Sequence, residues 1–364
     1  MGVGSFLRFG LKGAGEKVVY SANPHIEDSR VLYVRMQNLM WPHAEGAHDT
    51  ITKNTTDLLL TALEQARELN RPLVINCRRV RRVISHALLS LRDYLLANQD
   101  VTIVFTDVVN SDTVGEPSLA NDFESQLSAV NSVKQYSAHP GYAIYGYNSS
   151  QVENAVTSFL QETNSGLTLE DEAIRQATKE CFQKFNSPQR LRSTPLLASG
   201  LFNAAKLLGR PSVMKSIVLR LADKVEEIVD SGLGETAGVD IRLLACSRAG
   251  AALAFTLLPF TNYIGVDGID IVDRLGPSVC FIEDYSERQS LTPGSEFNYI
   301  YIGDFVIAGS ELRSALSHSK EHKRALRHAL CIGSILSAED FQEIIPLTRL
   351  VDLKNLGLPI EYRL

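Results

Sequence analysis

No CxxC pair occurs among the five cysteines, at positions 77, 181, 246, 280 and 331, so neither zinc spacing nor a disulfide framework follows. No apolar run reaches the roughly 18 residues needed to span a bilayer. Positive charge is in short supply as well. Against 42 Asp and Glu stand 36 Lys and Arg, and the net charge of −6 argues against a general nucleic-acid binder, which must displace phosphate counterions with clustered cations. The early stretch GLKGAGEK lacks the Walker spacing and any preceding strand, so it is no phosphate loop. Phe6 stands where a myristoylation signal after Gly2 needs Ser or Thr. These absences leave a cytoplasmic protein without a membrane anchor as the expectation.

What is present belongs to a globular protein, with 45% hydrophobic and 21% charged residues. At 364 residues the chain is too long for one ordinary core, and two domains are expected. Residues 1–29, Gly-rich and polar, read as a flexible arm. From Arg30 the apolar residues alternate as in a strand, and helical spacing follows over Thr52–Leu69. The run LVINCRRVRRVISHALLSLRDYLLANQDVTIVFTDV supplies strand, loop, helix and strand, a βαβ unit if the strands are parallel. GYAIYGYNSSQVENAVTSFL adds a strand and a helix with Asn148 or Ser149 as N-cap. The first domain is therefore bounded at 30–163. A connector over 164–194 carries one helix, Leu169–Phe185, stopped by Asn186, Ser187 and Pro188. The second domain spans 195–364. Arg78, Arg79, Arg81 and Arg82 form a basic cluster, expected to be a solvated or partner-facing surface.

Within Leu73–Leu91, a strand ending at Asn76 precedes Val80, Val83, Ile84 and Ser85 and then a helix. This pattern resembles the STAS domain, the small α/β module of anti-sigma-factor antagonists and sulfate transporters. The resemblance implies a regulatory protein partner and places Ser85 at the helix N-terminus, where that family is sometimes phosphorylated. Asn76 stands in place of the family's usual Asp, and His86 follows Ser85. On the residues alone, Ser85 is a helix cap.

The second domain carries three pieces of chemistry in chain order. LASGLFNAAKLLGRPSVMKSIVLRLADKVEEI joins a polar, Gly-containing turn to an amphipathic helix from Pro211 to Val229, Pro being suited to a first helical turn. VDIRLLACSRAGAALAFTLL is an apolar strand that stops at Cys246, turns through Ser247, Arg248, Ala249 and Gly250, and enters an Ala-rich helix. Small residues let a backbone approach a ligand, and Arg248 adds a charge-assisted donor. YIYIGDFVIAGSEL runs an apolar strand into Asp304, a turn with Gly309 and a helix start. An acid there can accept from ribose hydroxyls while the turn and helix N–H groups face an anion.

Together these stretches resemble the type I phosphoribosyltransferases, the orotate phosphoribosyltransferase group in particular. The resemblance implies that Asp304, Ala308, Gly309 and Ser310 bind the phosphoribosyl group, with Asp304 catalytic. It implies that Ser247, Arg248, Ala249 and Gly250 bind pyrophosphate, and that Phe202 and Asn203 belong to the base-binding hood. The loop after Val279–Ile282 is implied to be a lid. Glu283 and Asp284 replace its usual basic residues there and leave Arg288 as its one cation. Gly303 replaces the first acid of the family's pair, and Glu311 replaces its last hydroxyl. Magnesium, recruited by Asp304 and the diphosphate itself, is the cofactor implied, with no dedicated protein metal site.

The expected fold is thus α/β in two domains, a small STAS-like domain followed by a parallel-sheet phosphoribosyltransferase-like domain. Two functions stay open. One is ribosyl transfer to a base with release of pyrophosphate. The other is a sensor of a nucleotide or sugar phosphate, whose N-terminal domain signals to a protein partner. A small phosphoribosyl or nucleotide ligand and a second copy of the chain in a homodimer complete the expected partners. His318 and His322, beside Lys320 and Lys323, read as a solvated face, and the tail as an edge strand.

Overall fold

The computed structural model describes residues 25–27, 30–40, 49–110, 118–136, 141–148, 153–164, 166–190, 197–233, 240–261, 264–272, 280–281, 297–307, 309–321, 325–336, 345–360 and 362–363. The chain divides between Glu170 and Asp171 into two compact units.

In the first unit, β1 (His25–Glu27), β2 (Leu32–Arg35), α1 (Met36–Met40), β3 (Thr50–Ile51) and α2 (Lys53–Glu68) open the fold. Thr52 caps α2 in a reciprocal box, its hydroxyl accepting from the Thr55 N–H while Thr55 Oγ1 accepts from the Thr52 N–H. There follow β4 (Leu73–Asn76), β5 (Arg82–Val83), α3 (Leu89–Ala97), β6 (Ile103–Val109), α4 (Leu119–Gln126), β7 (Ser132–Tyr136), β8 (Tyr142–Tyr147) and α5 (Glu153–Thr163). The main sheet has the order β1-β2-β4-β6-β8-β7, with β2, β4 and β6 parallel and the outer strands antiparallel. The βαβ unit expected over 73–109 is therefore present.

Alternation along β2 serves both faces of this sheet. Leu32 and Val34 join α2, α3 and α4 through Leu59, Leu63, Leu91 and Phe123, while Val31 and Tyr33 join Val156 and Phe159 of α5. Beneath that second layer lies a buried ion pair. Arg35 Nη1 donates to Glu170 Oε2 at 3.1 Å, and the Tyr33 hydroxyl donates to Glu170 Oε1 at 3.0 Å.

Four expectations are corrected here. The arm over 1–29 overruns β1, which pairs with β2. Asn148 does not cap α5; it sits at φ +55° and its amide donates to the carbonyls of Leu95 and Asn98, so it pins the end of α3. Ser85 does not start a helix either. It lies exposed in a turn, and α3 begins at Leu89 with Leu88 at the cap position. In the arginine cluster Arg81 and Arg82 are exposed, but Arg79 is buried at φ +68°.

Helix α6 (Leu167–Glu180) carries the chain into the second unit. It ends five residues before the expected Phe185. Asn186, Ser187 and Pro188 lie instead in β9 (Phe182–Arg190), which pairs only with β10 (Leu197–Phe202). As an edge strand, β9 tolerates a proline that donates no hydrogen bond. Next come α7 (Ala204–Leu208), α8 (Pro211–Ile228), β11 (Asp240–Ala245), α9 (Arg248–Leu257), β12 (Val266–Val272), β13 (Cys280–Phe281) and β14 (Phe297–Val306). The chain continues with α10 (Ser310–Glu321), β15 (Ala325–Ser334), β16 (Leu347–Asp352) and β17 (Tyr362–Arg363). Pro211 occupies the first turn of α8, as expected. Helix α10 stops before Ala325, because residues from Ala325 onward pair with β14 as a strand.

The large sheet of this unit has the order β13-β12-β11-β14-β15-β16, parallel except for β13. The chain enters in the middle at β11, steps outward to β12 and β13, then returns to the other side of β11 with β14. Strand order thus reverses between β11 and β14. A separate sheet, β17-β10-β9, holds the hood segment, so the chain's tail does form an edge strand.

One buried ion pair ties the central strands. Arg242 of β11 brings Nη2 within 3.1 Å of Asp270 Oδ1 on β12, an approach made by charge without hydrogen-bond alignment. The Tyr299 hydroxyl of β14 donates to Asp270 Oδ2, and the guanidinium lies 5.1 Å from the Phe297 ring. Removing one member of such a buried pair costs about 3–5 kcal/mol. Arg242→Met should therefore lower unfolding free energy in urea by about that amount. Lys224→Ala, which breaks the surface pair with Glu227, should cost under about 1 kcal/mol. Equal losses for the two variants would count against a central role for Arg242.

Candidate functional site

In open α/β sheets, ligands bind outside the carboxyl ends of the strands where strand order reverses. Here that crevice is bounded by the ends of β11 and β14. These are the two turns that the sequence marks as ligand loops. After β11, Ser247 is the N-cap of α9, its Oγ accepting from the Gly250 N–H at 3.0 Å. Arg248, Ala249 and Gly250 form the first turn of the helix rather than a loop before it. Arg248 is exposed at the positive end of the helix dipole. Gly250 is required by contact: a Cβ there would lie 2.7 Å from the Ile302 carbonyl oxygen of β14.

Strand β14 runs further than expected. Asp304 sits inside it, with Phe305 and Val306 still paired to Gly333 and Ser334 of β15. The turn to α10 is consequently short, and Gly309 enters it at φ +67°, a conformation that glycine adopts at little cost. Ala308 lies outside the described residues. Asp304 lies two residues beyond the Ile302 carbonyl that α9 touches, close enough to Tyr301 and Cys331 for its charge to push both of their pKa values up. Asp304 is partly buried, and among the described residues no side chain pairs with it. Burial pushes its carboxyl above the ordinary value, against the opposing pull of the backbone N–H groups of Phe305 and Asp304.

The hood segment reaches the same strand. Phe202, at the end of β10, stacks between Phe182 at 5.1 Å and Phe305 at 5.0 Å, so it adjoins the residue following Asp304. Its neighbour Asn203 is occupied as a helix cap, accepting from the Lys206 N–H at 3.0 Å. The structure therefore gathers the turn at Ser247–Gly250, Asp304, the α10 start and Phe202 around the second half of β14. Glu283, Asp284 and Arg288 lie outside the described residues.

One participant escaped the sequence reading. Tyr301, 1% exposed, packs with Leu312 and Ala315 of α10, and its hydroxyl donates to Glu311 Oε2 at 3.3 Å. Its ring spans Gly303: a Cβ on that glycine would meet Tyr301 Cε1 at 2.8 Å and the hydroxyl oxygen at 2.9 Å. The period of two along YIYIGD was the available signal, since it puts Tyr301 and Gly303 on one face.

Among the described residues no three His, Cys, Asp or Glu side chains gather as a metal site. At this end of β14 the carboxylates of Asp304 and Glu311 gather no third donor among the described residues, so these residues form no protein-held magnesium cage. Of the histidines, His328 is bonded to Thr348 Oγ1 at 2.9 Å, and burial pushes its imidazole down to about 4. Cys77, Cys181 and Cys331 are buried free thiols, and Cys246 is buried as well. No helix among the described residues is long and apolar enough to cross a membrane.

No family model matches the chain, and no curated protein does. Solved structures do resemble it over about half its length. An orotate phosphoribosyltransferase from Aeropyrum pernix is 14% identical, covers 51% of this chain and 94% of its own, and has a TM-score of 0.35. An adenine phosphoribosyltransferase from Saccharomyces cerevisiae is 16% identical over 50% of this chain and 99% of its own, with a TM-score of 0.33. The orotate phosphoribosyltransferase of Mycobacterium tuberculosis H37Rv is 11% identical over 52% and 99%, with a TM-score of 0.34. Likenesses so remote in identity and score leave function to the chain's own residues.

Burial of Asp304 has a measurable consequence. Because its folded pKa is raised, the folded state holds more protons than the unfolded state from the ordinary carboxylate value up to that folded pKa, and stability falls as pH rises through that window. Above it, the ionised carboxylate carries the full burial cost. Asp304→Asn should therefore melt at or above the wild type at neutral pH, with the difference shrinking toward about pH 4. A variant that melts clearly lower at neutral pH would mean that the carboxylate has a structural partner.

Proposed function

We propose that the crevice between β11 and β14 binds a phosphoribosyl or nucleotide ligand. Asp304 accepts from sugar hydroxyls, and Arg248 with the α9 N-terminus takes phosphate. Gly309 and Ser310 form the second anion-facing turn, and Phe202 offers an aromatic surface toward the base. One observation carries this reading. Two turns with phosphate-cradle chemistry flank the reversal of strand order, in backbone contact through Gly250 and Ile302.

Two uses of such a site follow. In the first, the protein is a phosphoribosyltransferase that moves the ribosyl group to a base. The transition state is oxocarbenium-like, and the protein's task is to hold the departing diphosphate and stabilise its charge. In the second, the site senses a nucleotide or sugar phosphate, and the first unit, read as STAS-like, passes the state to a protein partner. The ring of Tyr301 over Gly303 favours the second use, because it occupies the place of a second acid.

Full-length protein with magnesium, phosphoribosyl pyrophosphate and a panel of bases tests the first use. Pyrophosphate release that Asp304→Asn abolishes is the expected result if the protein is a transferase. For the sensor, no turnover is expected, but thermal stabilisation by ligand is. Ligand at about a hundredfold its Kd adds about 2.7 kcal/mol, and Arg248→Ala should remove it. Neither turnover nor stabilisation would sink both.

A further inference from the structure

Strand β7 closes one edge of the first unit's sheet and pairs there with β8 alone. The register decides which of its backbone groups face away from β8. The Asn148 N–H donates to the Asn131 carbonyl, so these two residues are a hydrogen-bonded pair. Alternation along an antiparallel ladder then makes Val133 with Gly146, and Gln135 with Ile144, the next such pairs. Ser132 and Tyr136 therefore turn their N–H and C=O groups to the open edge. Ser132, Val133, Lys134 and Gln135 are all exposed, and Val133 keeps 42% of its surface in contact with solvent.

Sheet edges ordinarily carry a guard against a further strand: a proline, an irregular register, a cover or an outward charge. Strand β9 has Pro188 and a shift in register against β10 between Ala198 and Gly200. Strand β16 is covered, with Leu347 and Val351 buried and the residues around them half-buried. Strand β7 contains no proline, and its register with β8 runs unbroken. Its lysine is drawn inward. Lys134 Nζ donates to Glu124 Oε1 at 2.7 Å and lies 5.3 Å from the centroid of the Tyr145 ring. That hydrogen bond raises the ammonium's pKa and lowers the carboxyl's, so across neutral pH the two charges persist and cancel.

These features specify the occupant. A row of outward N–H and C=O groups is satisfied in series by an extended strand. Like charges directly opposite one another repel, which would bar a second copy of an edge bearing a bare lysine. Here Lys134 comes with its own counter-charge, so the edge is electrically compatible with itself. We propose that β7 pairs antiparallel with β7 of a second copy of this chain, joining two six-stranded sheets into one. The twofold axis passes by Lys134. Ser132 of each copy exchanges hydrogen bonds with Tyr136 of the other, and Val133 lies opposite Gln135. A strand of five residues is short beside interfaces that bury about 1,200–2,000 Å², so the dimer forms reversibly with concentration. This inference does not depend on the ligand site of the second unit.

Sedimentation equilibrium of the full chain from about 1 μM to about 200 μM tests it, and the average mass should climb toward twice that of the chain. Val133→Lys places an unmatched cation on the edge. Ser132→Pro removes an N–H that faces the partner while sparing the ladder to β8. Each should weaken dimerisation about tenfold or more, with an unchanged circular dichroism spectrum. Glu124→Gln strips Lys134 of its counter-charge and should weaken the dimer about tenfold at low salt, with recovery in about 0.5 M salt. A chain that stays monomeric throughout the range would overturn the proposal. So would a dimer whose Kd is unmoved by Val133→Lys, because the interface would then lie elsewhere. Should Ser132→Pro fail to fold, Val133→Lys decides, since it alters only an exposed side chain. A Glu124→Gln dimer as tight as the wild type at low salt would overturn the role given to Lys134.

Discussion

The ion pair of Arg242 with Asp270, completed by the Tyr299 hydroxyl, is the constraint on which the second unit depends. It joins β11, β12 and β14, the strands on either side of the reversal in strand order. A charge pair this deep is expensive to desolvate and is tolerated only when its members are held together. Gly268 makes the approach feasible, since a Cβ there would lie 2.8 Å from Arg242 Nη2. Fixing three neighbouring strands in register upstream fixes the spacing of their carboxyl ends downstream, and the candidate site consists of those ends.

Strand β14 then carries both packing and the acid of the candidate site. Tyr299 and Tyr301 face α10 in an apolar cluster, and the Tyr301 ring extends over Gly303. Asp304 follows Gly303 and is held by the backbone N–H groups of Phe305 and its own residue. The two glycines that matter are needed for different reasons. Gly250 yields to a backbone oxygen that cannot move, whereas Gly303 yields to a side chain locked by its own packing. The first requirement brings α9 against β14, and the second keeps the Tyr301 ring packed along the strand.

Much of this was legible in the sequence. Period-two and period-3.6 apolar spacing identified β2, α2, β4, β6, α8 and β11, and Pro211 announced its helix. The turn at Ser247–Gly250 was legible as the point where an apolar strand enters an Ala-rich helix, although an ordinary βα turn carries the same small residues. What resisted was decided at long range. Strand β9 carries Asn, Ser and Pro, which read locally as a stop, and only its place at a sheet edge makes it a strand. Asn148 looks like a cap, but its amide is claimed by carbonyls about fifty residues away in sequence. Asp304 looked like the end of a strand because GD breaks an apolar run. Pairing with β15 carries the strand two residues further.

Asp304 is the residue on which the proposed function turns. A carboxylate moved out of water without a cation or a donor side chain costs stability, and interiors rarely keep such a group unless it has work to do. An ordinary βα turn would place Asn, Ser or Gly there at no such cost. The same reasoning applied to Glu311 gives the opposite answer, because its carboxylate already has the Tyr301 hydroxyl. Of the two acids at this end of β14, Glu311 is held by a side-chain hydroxyl and Asp304 by backbone N–H groups alone. In the function proposed above, that difference makes Asp304 rather than Glu311 the acceptor for sugar hydroxyls.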